Sequence, residues 1–217
     1  MNGGRRVEPK YEWNGAQREG KKDYTCSYCD NLVASEFRFA RYATTGSRKS
    51  IDGEVYICPF CNNPTFFPNA PEIGRVQIPG PRPCTAVSHL PESINSIYEE
   101  ARNCLSAGAS VGAALCARKV VMNLAVSKGA ELNKRFAYYV DYLVDNNHIP
   151  KDVADNLDHV RTKGNEAAHE LPAISYAEAL ELIAFLEMLL RFLYEFPAAT
   201  KIRREAAQQS LKGIGEE

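Results

Sequence analysis

Two short cysteine pairs constrain this chain more than anything else in it. Cys26-Ser-Tyr-Cys29 and Cys58-Pro-Phe-Cys61 are C-x-x-C knuckles with 28 residues between them. Two thiolates three positions apart can turn onto one ion, and two such pairs complete a tetrahedral four-sulfur site, which suits zinc. The interval reads as strand. Phe37, Phe39 and Arg41 alternate with Arg38, Ala40 and Tyr42, Asp52-Gly53 supplies a turn, and Glu54-Val55-Tyr56-Ile57 leads into the second knuckle.

Residues 24–68 therefore resemble a zinc ribbon, with one structural zinc per chain on Cys26, Cys29, Cys58 and Cys61. A module this short buries little surface, so the metal would supply much of its folding energy. The competing readings are unpaired core cysteines, or a redox pair, although the latter occurs singly on a βαβ unit. Cys104 and Cys116 sit in helical text among small residues and read as buried thiols acting as small hydrophobes. Arg38, Arg41, Arg48 and Lys49, interleaved with Phe37, Phe39 and Tyr42, could form a basic, aromatic nucleic-acid surface or an ordinary solvated face.

The composition changes near residue 85. Both knuckles and most of the prolines precede it, and the chain after it is helical text. The expected organisation is a flexible N-terminus over 1–23, the ribbon over 24–77, a proline-rich linker over 78–87, a helical domain over 88–198 and a polar tail over 199–217. Ile78 to Pro83, IPGPRP, reads as a stiff extended spacer, because proline fixes φ and lacks a donor. Residues 1–87 carry 12 Lys/Arg against 9 Asp/Glu, and residues 88–217 carry 14 against 18, so a net of +3 precedes a net of −4. That balance excludes a histone-like DNA binder. The apolar run from Leu182 to Phe196 is broken by Glu187, Arg191 and Glu195, and the opening MNGGRRVEPK has no apolar core. We therefore expect a cytoplasmic protein with no membrane partner.

The helical half parses into five stretches: 91–107, 110–128, 131–146, 151–161 and a last one from Leu180 to Phe196, closed by Pro197. Ile94, Ile97, Tyr98, Ala101 and Leu105 share one face of the first. Leu115, Val121, Met122 and Ala125 point inward in the second, and Leu132, Phe136, Tyr139, Val140 and Leu143 in the third. Ser175 and Glu178 form a capping box for the last, on which Glu187, Arg191 and Glu195 line up as a solvated stripe. The segment Arg161-Thr-Lys-Gly-Asn-Glu-Ala-Ala-His169 stands out: in a helix, Asn165 and His169 share a face one turn apart. His169 could act as acid or base, and Arg161 could hold a phosphate.

From Leu90 to Pro197 the chain resembles a bacterial domain-of-unknown-function family of the HEPN superfamily. The matching text is LPESINSIYEEA, ALCARKVVMNLA, LDHVRTKGNEAAHE and FLEMLLRFLYEFP, in that order. The resemblance implies a mainly α chain: an HEPN-like four-to-five-helix bundle that dimerises, preceded here by a small β zinc ribbon. Many members of that superfamily are metal-independent endoribonucleases of toxin–antitoxin, restriction and antiphage systems, with a composite Arg/His site at the dimer interface. Carried over, His169 is the acid/base, Asn165 orients it, and Arg161 stands in for an arginine whose position is Gly164 here. Two functional expectations follow. One is an endoribonuclease of a bacterial defence system, cleaving RNA by attack of the 2′-OH, with RNA and a defence-system protein as partners. The other is a non-catalytic homodimeric module that binds nucleic acid or protein.

Overall fold

The computed structural model describes residues 17–45, 48–69, 77–150, 160 and 174–214. The chain divides into two compact units, Met1–Pro83 with Ser106–Gly108, and Cys84–Leu105 with Ala109–Glu217.

The first unit is built on an antiparallel sheet in which chain order is also spatial order: β1 (Gln17–Thr25), β2 (Leu32–Thr45), β3 (Arg48–Ile57) and β4 (Pro64–Pro68). Each cysteine knuckle closes a hairpin. Thr25 pairs with Leu32 across the first and Ile57 with Pro64 across the second. The Asp52-Gly53 dipeptide, expected as a turn, lies inside β3. Arg41 pairs with Gly53 and Tyr42 with Ile51, so Asp52 is the extra residue of a bulge. The glycine is needed for packing, since a Cβ there would lie 2.5 Å from the Phe66 ring. The core is small: Tyr24, Cys26, Val33, Tyr56, Cys58 and Phe67. Phe67 receives Tyr24 and Tyr56 edge-on, at centroid distances of 5.1 and 5.7 Å.

The IPGPRP stretch, expected as a stiff extended spacer, bends at Pro79 and Pro83, and it is not a free spacer. Ile78 exchanges both backbone hydrogen bonds with Phe66 on β4, each 2.8 Å. Ser27 donates its hydroxyl to the Pro79 carbonyl at 2.8 Å, and Arg82 grips Asp30 through two bonds of 2.9 and 2.7 Å. Polar side chains interspersed among the prolines thus fasten the segment to the first knuckle.

The second unit contains α1 (Glu92–Ser106), α2 (Ser110–Ser127), α3 (Phe136–Asp145) and α4 (Tyr176–Leu190), which continues through a π-helical turn, Arg191–Glu195, into α5 (Phe196–Ile214). Ile94, Tyr98, Ala101 and Leu105 are buried on α1, and Phe136, Tyr139, Val140 and Leu143 on α3. Helix α2 packs against α3 and α4. Among the described residues it is also the one helix long and apolar enough to cross a membrane by length and composition. It buries Ala113, Ala114, Ala117, Val120, Val121, Leu124 and Ala125 inside the unit. Leu115 and Leu132 were expected inward and are exposed. Helix α3 starts at Phe136 rather than 131 because Asn133 takes φ +61°, which ends any helical turn before it. The expected helix over 151–161 lies outside the described residues apart from Val160, which is helical and buried.

The capping box at the start of α4 forms: Ser175 accepts from the Glu178 amide at 3.2 Å, and Glu178 accepts from the Ser175 amide at 2.9 Å. Pro197, expected to end this helix, does not. It has no N–H to donate and its ring crowds the preceding turn. The turn before it widens, with the Phe196 amide bonding back five residues to the Arg191 carbonyl, and the helix runs on.

Glu187, Arg191 and Glu195, read as a solvated stripe, are instead a latch. Glu187 accepts from the Thr85 hydroxyl and from Arg191 Nε at 3.0 Å. Glu195 accepts from Arg191 Nη1 and from the Ser88 amide at 3.0 Å. On α1, Tyr98 donates to the Thr85 carbonyl at 2.9 Å. Arg102, 0% exposed, binds both oxygens of Glu99 and donates to the Cys84 carbonyl at 3.1 Å. Residues 84–88 are thereby strapped across α1 and α4.

The expectation of a mainly α chain, a four-to-five-helix bundle behind a small ribbon, is not met. A four-stranded sheet with strands of up to 14 residues makes the chain α plus β. The helical part is only partly a bundle, because α5 carries an exposed face over residues 201–209. β1 is polar except for Tyr24, so its pairing with β2 has no counterpart in local apolar periodicity.

Two outcomes follow from the latch. Arg102→Ala should destabilise the helical unit by about 3 kcal/mol, because it breaks an ion pair whose guanidinium is buried. Denaturant melts followed by helical circular dichroism would show it. At Glu187 burial raises the carboxyl pKa, but the Thr85 and Arg191 hydrogen bonds outweigh it and hold the value below the usual range. Its contribution is present above the ordinary carboxylate pKa and lost as pH falls through the folded value. The stability gap between the natural chain and Glu187→Gln should therefore be widest at neutral pH and close in acid.

Candidate metal centre

Each knuckle is built by the same local rule. Cys26 follows β1 and Cys58 follows β3. In both, the cysteine amide bonds to the carbonyl five residues on, Asn31 or Asn63, at 3.0 Å. The residue after the second cysteine, Asp30 or Asn62, returns a 2.9 Å bond to the first cysteine's carbonyl. Closing so tight a loop puts that residue in the left-handed region, φ +57° for Asp30 and +60° for Asn62. Asp and Asn tolerate this region best after glycine. The amides of Tyr28 and Cys29 point at the Cys26 sulfur, and those of Phe60 and Cys61 at the Cys58 sulfur. Such donors stabilise thiolates.

The two knuckles face each other crosswise. Cys26 Sγ lies 3.6 Å from Cys61 Sγ, and Cys29 Sγ lies 3.7 Å from Cys58 Sγ. All four sulfurs fall within 4.8 Å of one another. A tetrahedron of sulfurs around an ion with metal–sulfur bonds of zinc length has edges of about 3.8 Å. The four residues expected from the sequence thus form one cluster that could hold a metal ion, with a donor set consistent with zinc. Cys26 and Cys58 are buried, and Cys29 and Cys61 half-buried. Ser27 and Gln77 back the first knuckle: Gln77, itself buried, donates to the Thr25 carbonyl at 2.9 Å.

Burial, with a smaller contribution from the neighbouring thiols, pushes the Cys26 thiol well above its ordinary pKa and the Cys58 thiol up to about 11. At Cys29 burial also raises the pKa, but hydrogen bonds from Asn31 and from the Cys58 and Cys61 thiols outweigh it and leave the value lowered. An incoming cation therefore displaces protons from the deep pair.

The other expected site residues fare differently. Arg161, Asn165 and His169 lie outside the described residues. Arg38 is ion-paired with Glu54 and Arg41 with Asp52, while the side chains of Arg48 and Lys49 lie outside the description. Cations missed in the sequence sit on β1. Arg18 stacks over Phe37 at 4.9 Å, and Lys22 over Phe67 at 4.5 Å. Phe37 and Tyr42 remain 41% and 50% exposed. Residues 17–25, Gln-Arg-Glu-Gly-Lys-Lys-Asp-Tyr-Thr, carry no apolar alternation, so nothing in the sequence marked them as a strand. The Asp-Asn and Asn-Asn that follow the knuckles did mark the left-handed turns.

The fold and the cluster define a protein with a sheet unit whose four-cysteine cluster could hold a metal ion, and a helical unit. The family model described as "Domain of unknown function (DUF4145)" matches residues 99–210, and the chain belongs to that family. No curated protein and no solved structure matches the chain.

Metal affinity should rise with pH throughout the range below about 11, where the Cys58 thiol still holds its proton. Competition with a chromophoric chelator at neutral and mildly acid pH would measure the slope. Cys58→Ser should abolish tight binding and melt the sheet unit while the helical circular dichroism persists.

Proposed function

We propose that this chain is a cytoplasmic, non-catalytic binding protein whose N-terminal sheet is stapled by one structural zinc and contacts single-stranded nucleic acid. The observation that carries the zinc is the crossed cluster, with sulfur–sulfur distances of 3.6 and 3.7 Å, near the edge of a zinc–sulfur tetrahedron. Thiolates select soft or borderline ions, and zinc closes such a site without redox chemistry. Metal analysis of purified protein should find about one zinc per chain.

Support for nucleic acid comes from the sheet's aromatic and basic side chains. Phe37 is exposed on β2 with Arg18 of β1 paired opposite it, Tyr42 is exposed further along β2, and residues 1–87 carry a net of +3. Bases stack on such rings without sequence preference, and cations neutralise the phosphates. Homodimerisation belongs to the same reading. Met188, Phe192 and Phe196, exposed at four-residue steps on one helix face, are surface a second copy would cover.

The test is binding of labelled single-stranded RNA to the zinc-loaded full chain, with the RNA recovered and sized afterwards. Intact bound RNA is expected, with affinity falling steeply with salt. Tyr42→Ala should weaken it by about tenfold, the loss of one stacked base. Cleavage to 2′,3′-cyclic ends that vanishes in His169→Ala would overturn this reading and install the endoribonuclease of His169, Asn165 and Arg161. Absence of any RNA binding would leave the sheet as a protein-docking surface.

A further inference from the structure

Helix α5 leaves the core that anchors α4. Every residue from Lys201 to Gln209 is exposed, and among the described elements α5 packs chiefly on the π-helical turn that it continues. Helices in water take most of their stability from burying an apolar face, and this one has such a face to bury. An open groove runs along it, lined by Phe192, Phe196, Pro197, Lys201 and Arg204 among others. The widened turn therefore does not break the stripe, since residues on both sides of it line one groove. Back along α4 the same stripe continues through Met188, Ala184 and Glu181, at steps of three and four residues. Its middle is apolar, with Met188, Phe192 and Phe196 each more than half exposed.

The charges on the stripe are segregated and evenly placed. Glu181, on its N-terminal arm, lies eleven residues before Phe192, and Arg204, on its C-terminal arm, lies eleven after Leu193. Both are exposed, and among the described residues neither has an ion-pair partner. Glu205, beside Arg204, is held by Lys201 at 3.9 Å. The stripe thus reads acidic, apolar, basic about a midpoint between Phe192 and Leu193. Such a pattern is complementary to its own reverse.

We infer that the α4–α5 stripe pairs antiparallel with the same stripe of a second copy, about a twofold axis between Phe192 and Leu193. This rests on the homodimer reading given above and specifies how the two copies run. Symmetry makes each contact twice. Glu181 meets the partner's Arg204, and Arg204 meets the partner's Glu181. Met188, four residues before Phe192, meets the partner's Pro197, four after Leu193, with the neighbouring Phe196 ring in reach of the thioether. Ala184 is small where the long stem of the partner's Lys201 arrives. Parallel pairing would set Glu181 against Glu181 and Arg204 against Arg204, and like charges facing each other disfavour it.

The experiment is sedimentation equilibrium on the zinc-loaded full chain and its charge variants. The natural chain should be a dimer. Glu181→Arg and Arg204→Glu each place two like-charge contacts in the interface, and each should weaken dimerisation by about tenfold. The double variant exchanges the two charges and should restore it. Both positions are exposed, so helical circular dichroism should not change. Phe192→Glu, beside the axis, should leave only monomer. A dimer indifferent to both single changes, or a double variant no tighter than the single ones, overturns the antiparallel pairing and leaves the homodimer reading standing. A dimer that survives Phe192→Glu places the interface elsewhere and overturns the proposal. A natural chain that is monomeric at every concentration overturns both the pairing and the homodimer.

Discussion

Four sulfur atoms converge where the closed ends of two hairpins meet, beneath a sheet with little other buried core. The strands run in simple sequential order, so β1 and β4 are opposite edges and no backbone pairing joins them. Among the described residues the buried apolar cluster beneath is six residues, two of them cysteines of the cluster. A core of that size offsets only a small part of the conformational entropy lost on ordering four strands. A metal ion held by the crossed knuckles would supply what the core lacks, because it would tie the closed end of one hairpin to the closed end of the other. Everything else in the unit is arranged around that tie: Phe67 between two tyrosine edges, Gly53 kept bare for the Phe66 ring, and the proline-rich strap fastened to Ser27 and Asp30.

The helical unit solves a different problem. Its apolar contacts are ample, with α2 set against α3 and α4, but the segment that leads into it is polar. Buried charge is tolerated there because each group is satisfied. Arg102 faces Glu99 and a carbonyl, and Arg191 bridges Glu187 and Glu195, which in turn hold Thr85 and Ser88. A strap made this way is specific in register. Sliding it by one residue would strand a guanidinium or a carboxylate away from water.

Most of the helices were legible because amphipathic periodicity is a local property. The face of α1, the lower half of α3 and the Ser175 capping box could be read from spacing alone, since each depends on residues within one or two turns. The failures were of one kind. Glu187, Arg191 and Glu195 line up at four-residue steps whether they face water or a strap, and only the position of Thr85 decides which. Leu115 on α2 follows the helical period, yet the alanines opposite are the residues that meet α3 and α4. Pro197 ends a helix by the usual rule unless the turn before it can widen, and that depends on neighbouring turns rather than on the proline itself.

The candidate site divides in the same way. By itself the sequence determined which four cysteines form a cluster and what chemical class of ion suits them, because two matched C-x-x-C pairs have few other uses. It also determined that Asn165 and His169 would share a face if helical, which is a statement about spacing and nothing more. Only the tertiary structure decided that the first cysteine of each knuckle faces the second of the other, and that Arg38 and Arg41 of β2 are paired with Glu54 and Asp52 of β3. Spacing along a chain sets which side chains can converge locally. Convergence between elements depends on pairing register and helix crossing, which are set by the packing of the whole unit.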